Sequence, residues 1–186
     1  MSKNISFLIF NFLGLQITWA ACAYGATHSF ALLGAIIGCI YIILHMIFTP
    51  NRIVDALTLL SLTMIGVCLD YLNMKLGIIS FRSNEIGFIP VWLIILWGVF
   101  SLMIPHSLHW LSSKPILASI LGGIGGSFSY WLGHKLGAIT LSDPLLLNVL
   151  IYFIEWTIYI PLAFVIHHSI KNIISSQATL KNNIST

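Results

Sequence analysis

Apolar residues run through this chain in long stretches, and the polar positions between them gather at Pro, Gly and single charges. A helix crossing ~30 Å of hydrocarbon needs ~20 mostly apolar residues. Runs of about that length predict six spanning helices: Ile5 to Tyr24, Phe30 to Phe48, Val54 to Leu76, Pro90 to Leu111, Ile116 to Leu136 and Leu145 to Ser169. The breaks are Gly25-Ala26-Thr27-His28, Thr49-Pro50-Asn51-Arg52, the polar segment Ser80 to Phe88, Ser112-Ser113-Lys114-Pro115 and Asp143-Pro144. Pro90, Pro115 and Pro144 suit a first helical turn, where the missing N–H has no intrahelical partner to lose. Pro105 and Pro161 fall inside predicted helices and predict kinks. The expectation is an all-α polytopic bundle of six transmembrane helices over residues 1–171, followed by a flexible polar tail over 172–186.

Composition agrees with that pattern. The chain is 58% hydrophobic and 7% charged, with a mean hydropathy of +0.98, whereas about a quarter of a soluble domain is charged. These values exclude a soluble enzyme, a disordered chain and a disulfide scaffold. The basic residues are scattered singly, which argues against a nucleic-acid partner. They bear instead on orientation. With the N-terminus in the cytoplasm, Lys3, Arg52, Lys114, Lys171 and Lys181 lie inside, while Lys75, Arg82 and Lys135 lie outside. That surplus favours both termini in the cytoplasm. The first run shares features with a signal peptide, but it is longer than a typical apolar core and a second helix follows at once, so it reads as a span. Cys22, Cys39 and Cys68 form no Cys-x-x-Cys pair and read as small buried hydrophobes.

The fifth helix carries the most specific pattern, GGIGGSFSYWLGHKLGA from Gly122 to Ala138. Ser119, Gly122, Gly126, Ser129, Gly133 and Gly137 recur every three or four residues and predict a small-residue face. Close backbone approach through such residues is a main source of helix association in lipid. This helix is therefore expected at the centre, crossed tightly by one or two others, with packing favoured over a glycine-lined cleft. Gly34 and Gly38 give the second helix a shorter seam.

Two helices carry carboxylates at depth. Thr63, Gly66, Asp70, Asn73 and Gly77 share a face of the third, and Asn148, Tyr152, Glu155 and Tyr159 share a face of the sixth. A carboxylate at the membrane centre costs at least ~2.5 kcal/mol on insertion scales, so it should face the bundle and is a functional candidate. The bland alternative is a carboxyl bonded to Tyr, Asn or a backbone carbonyl, holding helices in register. Gln16, Trp19, Tyr130 and His134 fall at compatible levels, so the candidate polar site is Asp70, Glu155, Gln16, Trp19, Tyr130, His134 and Tyr152. The inner ends carry His45, His106, His109, His167 and His168, read as facing headgroups. His106 and His109 lie one turn apart, but no third ligand is evident, so neither a metal nor another cofactor is predicted.

PVWLIILWGVF from Pro90, HSLHWL from His106 and the glycine helix occur in order with Asn11, Gln16, Trp19, Asp70 and Glu155-Trp156. Together they resemble the 2878 domain-of-unknown-function family, small proteins of the bacterial inner membrane. Phe128 and Ser129 stand where the family has a proline two residues before the tyrosine of the glycine helix. The resemblance implies fold and location more than activity, and company with enzymes that modify membrane fatty acids.

Three functions compete. One is a small carrier or lipid-handling protein with a polar site inside the bundle. Another is a structural or accessory subunit linked to lipid modification. The third is a membrane-embedded lipid enzyme, disfavoured because the chain lacks a Ser-His-Asp order, His-Glu-x-x-His and a paired-Asp motif. Expected partners are membrane lipids, a second copy, or other membrane proteins. An inverted repeat of three helices would suit a carrier, but the two halves show no convincing match.

Overall fold

The structure, a computed structural model, describes residues 5–28, 30, 32–81 and 88–184. Lys3 and Arg82, used above for orientation, and most of the Ser80 to Phe88 connection lie outside the described residues. The chain is all-α. The described elements are helices α1 (Ile5–Thr27), α2 (Leu32–Phe48), α3 (Arg52–Lys75), α4 (Val91–Ser101), α5 (Pro115–Leu136) and α6 (Leu145–Ile184), a 3₁₀ turn at His109–Leu111 and two small strands, β1 (Ile79–Ser80) and β2 (Thr140–Leu141). Four are long and apolar enough to cross a membrane: α1, α3, α5 and the Leu145–Gln177 part of α6. The other two are shorter, 17 residues in α2 and 11 in α4. From Asn172 to Ile184 the polar segment continues α6 as helix.

An apolar core is surrounded by an apolar exterior, and buried polar side chains lie between helices. Asn11, Thr18, His45, Thr58 and Ser101 are fully inaccessible, while Ile36, Ile43, Leu60, Ile124, Leu150, Ile154 and Ile158 are exposed. Such a continuous apolar exterior suits hydrocarbon, and polar side chains in that setting turn inward to find partners. Cys22 is buried, but Cys39 and Cys68 are on the exterior, where a thiol behaves as one more small hydrophobe.

The helices form two groups. α1, α2 and α4 pack on one another, α5 lies along α6, and α3 bridges them by packing on both α4 and α6. The centre is thus held by α3 rather than by the glycine helix. The small residues of α5 are spent largely on one partner. A Cβ at Gly122 would press on Ile160 and the Trp156 carbonyl, one at Gly123 on Thr157 and Phe153, and one at Gly126 on the Trp156 ring. In α2, Gly34 sits against Cys22 of α1, and Gly38 against Thr18 of α1 and Ile95 of α4.

The fourth predicted helix ends early. Instead of a kinked helix to Leu111, α4 stops at Ser101, and 102–108 form successive turns. Pro105 supplies no N–H to the Ser101 carbonyl and disfavours helical backbone at Ile104. Irregular backbone at this depth is tolerated only inside protein, and Leu102, Met103 and Ile104 are all buried.

The strands were not expected from the sequence, and they reveal a repeat. β1 and β2 pair antiparallel, Ser80 opposite Thr140 and Ile79 opposite Leu141. Lys75-Leu76-Gly77-Ile78-Ile79-Ser80 leads into β1, and Lys135-Leu136-Gly137-Ala138-Ile139-Thr140 leads into β2. Both glycines are left-handed, with φ of 74° and 81°. Both units close with matching bonds: Gly77 N–H to Met74 and Ile78 N–H to Asn73, Gly137 N–H to His134 and Ala138 N–H to Gly133. This is a Schellman-type stop, which favours glycine for its positive φ. Asp70 and Tyr130 are 60 residues apart, the same separation that relates Gly66 to Gly126 and Ser80 to Thr140. α3 and α5 both run toward the ribbon, and α4 and α6 return from it. The repeat is therefore a parallel pair of helix–strand–helix units, not the inverted triple considered above.

Candidate functional site

The polar centre is built outward from one face of α3. Gly66 leaves room for the Trp97 ring of α4, and Asp70, one turn further along, receives its indole N–H at Oδ2, 2.6 Å away. The Tyr130 hydroxyl of α5 donates to Asp70 Oδ1 at 2.7 Å. Asn73, on the same face, donates from Nδ2 to both oxygens of Glu155 on α6, at 3.0 and 2.9 Å. The ring of Tyr152 stacks on Tyr130 with centroids 3.7 Å apart. One α3 face thus ties down three neighbouring helices through two carboxyls.

Asp70 is buried at 1% exposure, and Glu155 is half-buried. The recess bounded by Leu69, Asp70, Trp97, Tyr130, Glu155, Trp156 and Tyr159 has no room for a water molecule. A buried carboxyl bonded at both oxygens, as Asp70 is, joins helices rigidly, because breaking either bond strands a polar atom in a medium that cannot solvate it.

Beside this knot lies a larger space, a partly open cavity of about 330 Å³ between α1 and α4 on one side and α5 and α6 on the other. It falls at the lower end of the size range of small-molecule pockets, ~300–1,000 Å³. Trp19, Cys22, Trp92, Leu96, Trp97 and Phe100 form one wall, and Gly122, Gly125, Gly126, Ser129, Gly133 and Trp156 the other. A Cβ at Gly125 would meet nothing within 4 Å. The glycine helix therefore does two things: Gly122, Gly123 and Gly126 admit α6, and the bare backbone at Gly125 widens the cavity. The Ser129 hydroxyl turns back to the Gly125 carbonyl at 2.9 Å, so it presents little polarity to the space.

Of the residues singled out in the sequence, Asp70, Glu155, Tyr130 and Tyr152 come together, and Trp19 lines the cavity. Gln16 points outward from α1. The Nδ1 of His134 accepts the Leu141 N–H at 3.1 Å and fastens the ribbon. Gly137 ends α5 and does not face α6. Trp97, the donor to Asp70, was not singled out; the signal available was a glycine one turn before a buried carboxylate. The inner-end histidines do not all face headgroups. His45 is fully buried and His167 is 5% exposed, the latter with Nδ1 3.0 Å from the Thr58 hydroxyl.

A sequence model whose description reads protein of unknown function (DUF2878) matches residues 8–162. The chain belongs to the DUF2878 family. The matched region of this DUF2878 protein runs from α1 into α6 and contains the carboxyl knot and every cavity residue named above. Comparison of the DUF2878 chain with curated proteins and with solved structures gave no match.

Proposed function

We propose that this membrane protein is a lipid-handling protein that holds one acyl-type chain in the cavity between α1/α4 and α5/α6, with six crossings and both termini in the cytoplasm. The supporting observation is the cavity itself. Its walls are apolar side chains and bare glycine backbone, its side is partly open, and tryptophans stand toward both ends, Trp19 and Trp92 at one and Trp110 at the other. An apolar ligand is selected by such walls, since a polar one would lose its hydrogen bonds on entry. The carboxyls have a supporting role. Trp97, Tyr130 and Trp156 border both the cavity and the dry recess, so Asp70 and Glu155 fix the partition rather than meet the ligand. For orientation, Arg52 and Lys114 stand where α3 and α5 begin, and Lys75 and Lys135 stand at the ribbon end.

A spin-labelled fatty acid added to the purified protein in nonionic detergent tests the reading. An immobilised component is expected in its paramagnetic resonance spectrum. Gly125→Phe should abolish it, because the new ring fills the cavity without meeting a packed neighbour. An immobilised component that persists in a folded Gly125→Phe protein would sink the proposal.

A further inference from the structure

A second cluster of titratable groups lies near the other end of α3, fifteen residues or about 22 Å along the helix from Asp70. Asp55 is 1% exposed. Its Oδ2 lies 3.1 Å from His45 Nε2, 2.8 Å from His106 Nε2 and 2.6 Å from the Thr49 hydroxyl. The three groups come from α2, α3 and the turns after α4. One ligand atom from each of His45, Asp55 and His106 can be chosen so that all lie within 4.8 Å of one another. We propose that His45, Asp55 and His106 bind one divalent transition-metal ion of the zinc type.

Chemistry and geometry both support this. Two imidazole nitrogens and a carboxylate oxygen are a ligand set that suits zinc, leaving the fourth tetrahedral position to water. Metal–ligand bonds of ~2.0–2.1 Å place neighbouring ligand atoms about 3.4 Å apart, so the two histidine–aspartate spacings of 3.1 and 2.8 Å widen by about half an ångström or less, and the two imidazole nitrogens already lie within 4.8 Å of each other. Without an ion, a single carboxylate oxygen gathers the Thr49 hydroxyl and two imidazole nitrogens. Among the described residues its ion-pair partners are the two histidines alone, and a buried charge is normally paired or metal-bound. The outer partners are also in place. A ligating histidine ordinarily donates its other ring N–H to an acceptor, and His45 Nδ1 lies 3.3 Å from the Tyr41 hydroxyl oxygen, which Asn11 fixes at 2.8 Å. Phe7 of α1 covers both imidazoles, with centroids 5.2 Å from His45 and 5.0 Å from His106. The ion would staple the turns after α4 to the α2–α3 hairpin.

The test titrates Co²⁺ into the chelator-stripped full chain in detergent, followed by visible absorption, with Zn²⁺ as competitor. One equivalent with the intense bands of a tetrahedral site is expected, displaced by Zn²⁺. Asp55→Asn and His106→Gln should each weaken binding ~100-fold, and Tyr41→Phe ~10-fold, while His168→Gln, on the exterior, binds as wild type. A chelator should lower the melting temperature of the wild type and leave that of Asp55→Asn unchanged. Should Asp55→Asn fail to fold, the wild-type stoichiometry and the Tyr41→Phe shift decide. Wild type that takes up no stoichiometric ion, or binds it no more tightly than a folded Asp55→Asn, overturns the site and leaves a hydrogen-bonded His–Asp–His cluster.

Discussion

Trp97 of α4 and Trp156 of α6 stack face to face, with ring centroids 5.1 Å apart and planes 9° from parallel. Each ring sits on a glycine of the preceding long helix, Trp97 on Gly66 and Trp156 on Gly126. Those glycines are equivalent positions of the repeated unit, as are the paired Ser80 and Thr140 at the ribbon. The two units thus meet twice through matching residues, in the aromatic stack and in the ribbon.

Matching positions should respond alike to substitution. At Gly66 and Gly126 an added methyl group runs into an indole ring that is itself held by the stack. Overpacking of this kind costs ~1–3 kcal/mol. Gly66→Ala and Gly126→Ala are each expected to destabilise by that amount in denaturant titrations of the detergent-solubilised protein. Gly125→Ala, opening into free space, should leave the midpoint where it was.

The stops of α3 and α5 make a second matched pair. Gly77 and Gly137 hold φ values of 74° and 81°, a region that costs a residue with a Cβ roughly 1–2 kcal/mol. Gly77→Ala and Gly137→Ala should therefore lower stability by similar amounts in the same titration. A neutral result at both positions would show that the ribbon does not depend on the left-handed turns.

The helical segments and most breaks between them were legible in the sequence because hydrocarbon favours long apolar runs; four of the six helices are long and apolar enough to cross a membrane. Asp70 and Glu155 were legible as inward-facing for a related reason: a carboxyl at that depth must find partners. The identity of those partners was not. Trp97 reaches Asp70 only because Gly66 lets two helices close up, a fact of three dimensions. The end of α4 was missed because Pro105 is compatible with either a kink or a stop, and the choice rests on Asn11, 91 residues away from Leu102. The cavity was missed because a stripe of small residues reads the same whether it admits a neighbour or leaves space. Gly126 does the first and Gly125 the second.

The bonds to Asp70 carry a separate prediction. Its two oxygens accept from Trp97 and Tyr130, on different helices. Asp70→Asn turns one acceptor into a donor that faces a donor already there, at a cost of ~1–3 kcal/mol for the unsatisfied buried groups. Trp97→Phe and Tyr130→Phe each remove one donor and should cost less than Asp70→Asn. In a double-mutant cycle, adding Tyr130→Phe to Asp70→Asn should cost less than the sum of the two single changes, since the bond is already disrupted. Strict additivity would mean that the Tyr130 bond contributes nothing to stability.

Asn11 is expected to be as critical as either carboxylate, although it carries no charge. It is fully buried on α1 and faces the turns that replace the end of α4. In a continuing helix the Leu102 carbonyl would accept the His106 N–H, but His106 N–H bonds to Met103 instead. Asn11 Nδ2 supplies the missing donor to Leu102 at 3.0 Å and reaches the Tyr41 hydroxyl at 2.8 Å. Its Oδ1 accepts the Ser107 N–H at 3.2 Å and the Ser107 hydroxyl. One amide therefore satisfies backbone groups on both sides of Pro105. Asn11→Leu keeps the volume but strands those groups where water is scarce, so a loss of ~2–4 kcal/mol is expected, the sum of more than one unsatisfied buried group. The damage should be local before it is global: hydrogen exchange should rise first at Ser107 and its neighbours, while amides of α5 and α6 stay protected. Uniform loss of protection would show that the turns after α4 unfold only with the whole bundle. Pro105→Ala supplies the complementary check. By restoring an N–H at residue 105 it lets the helix continue past Ser101, and in the Asn11→Leu background it should recover part of the lost stability.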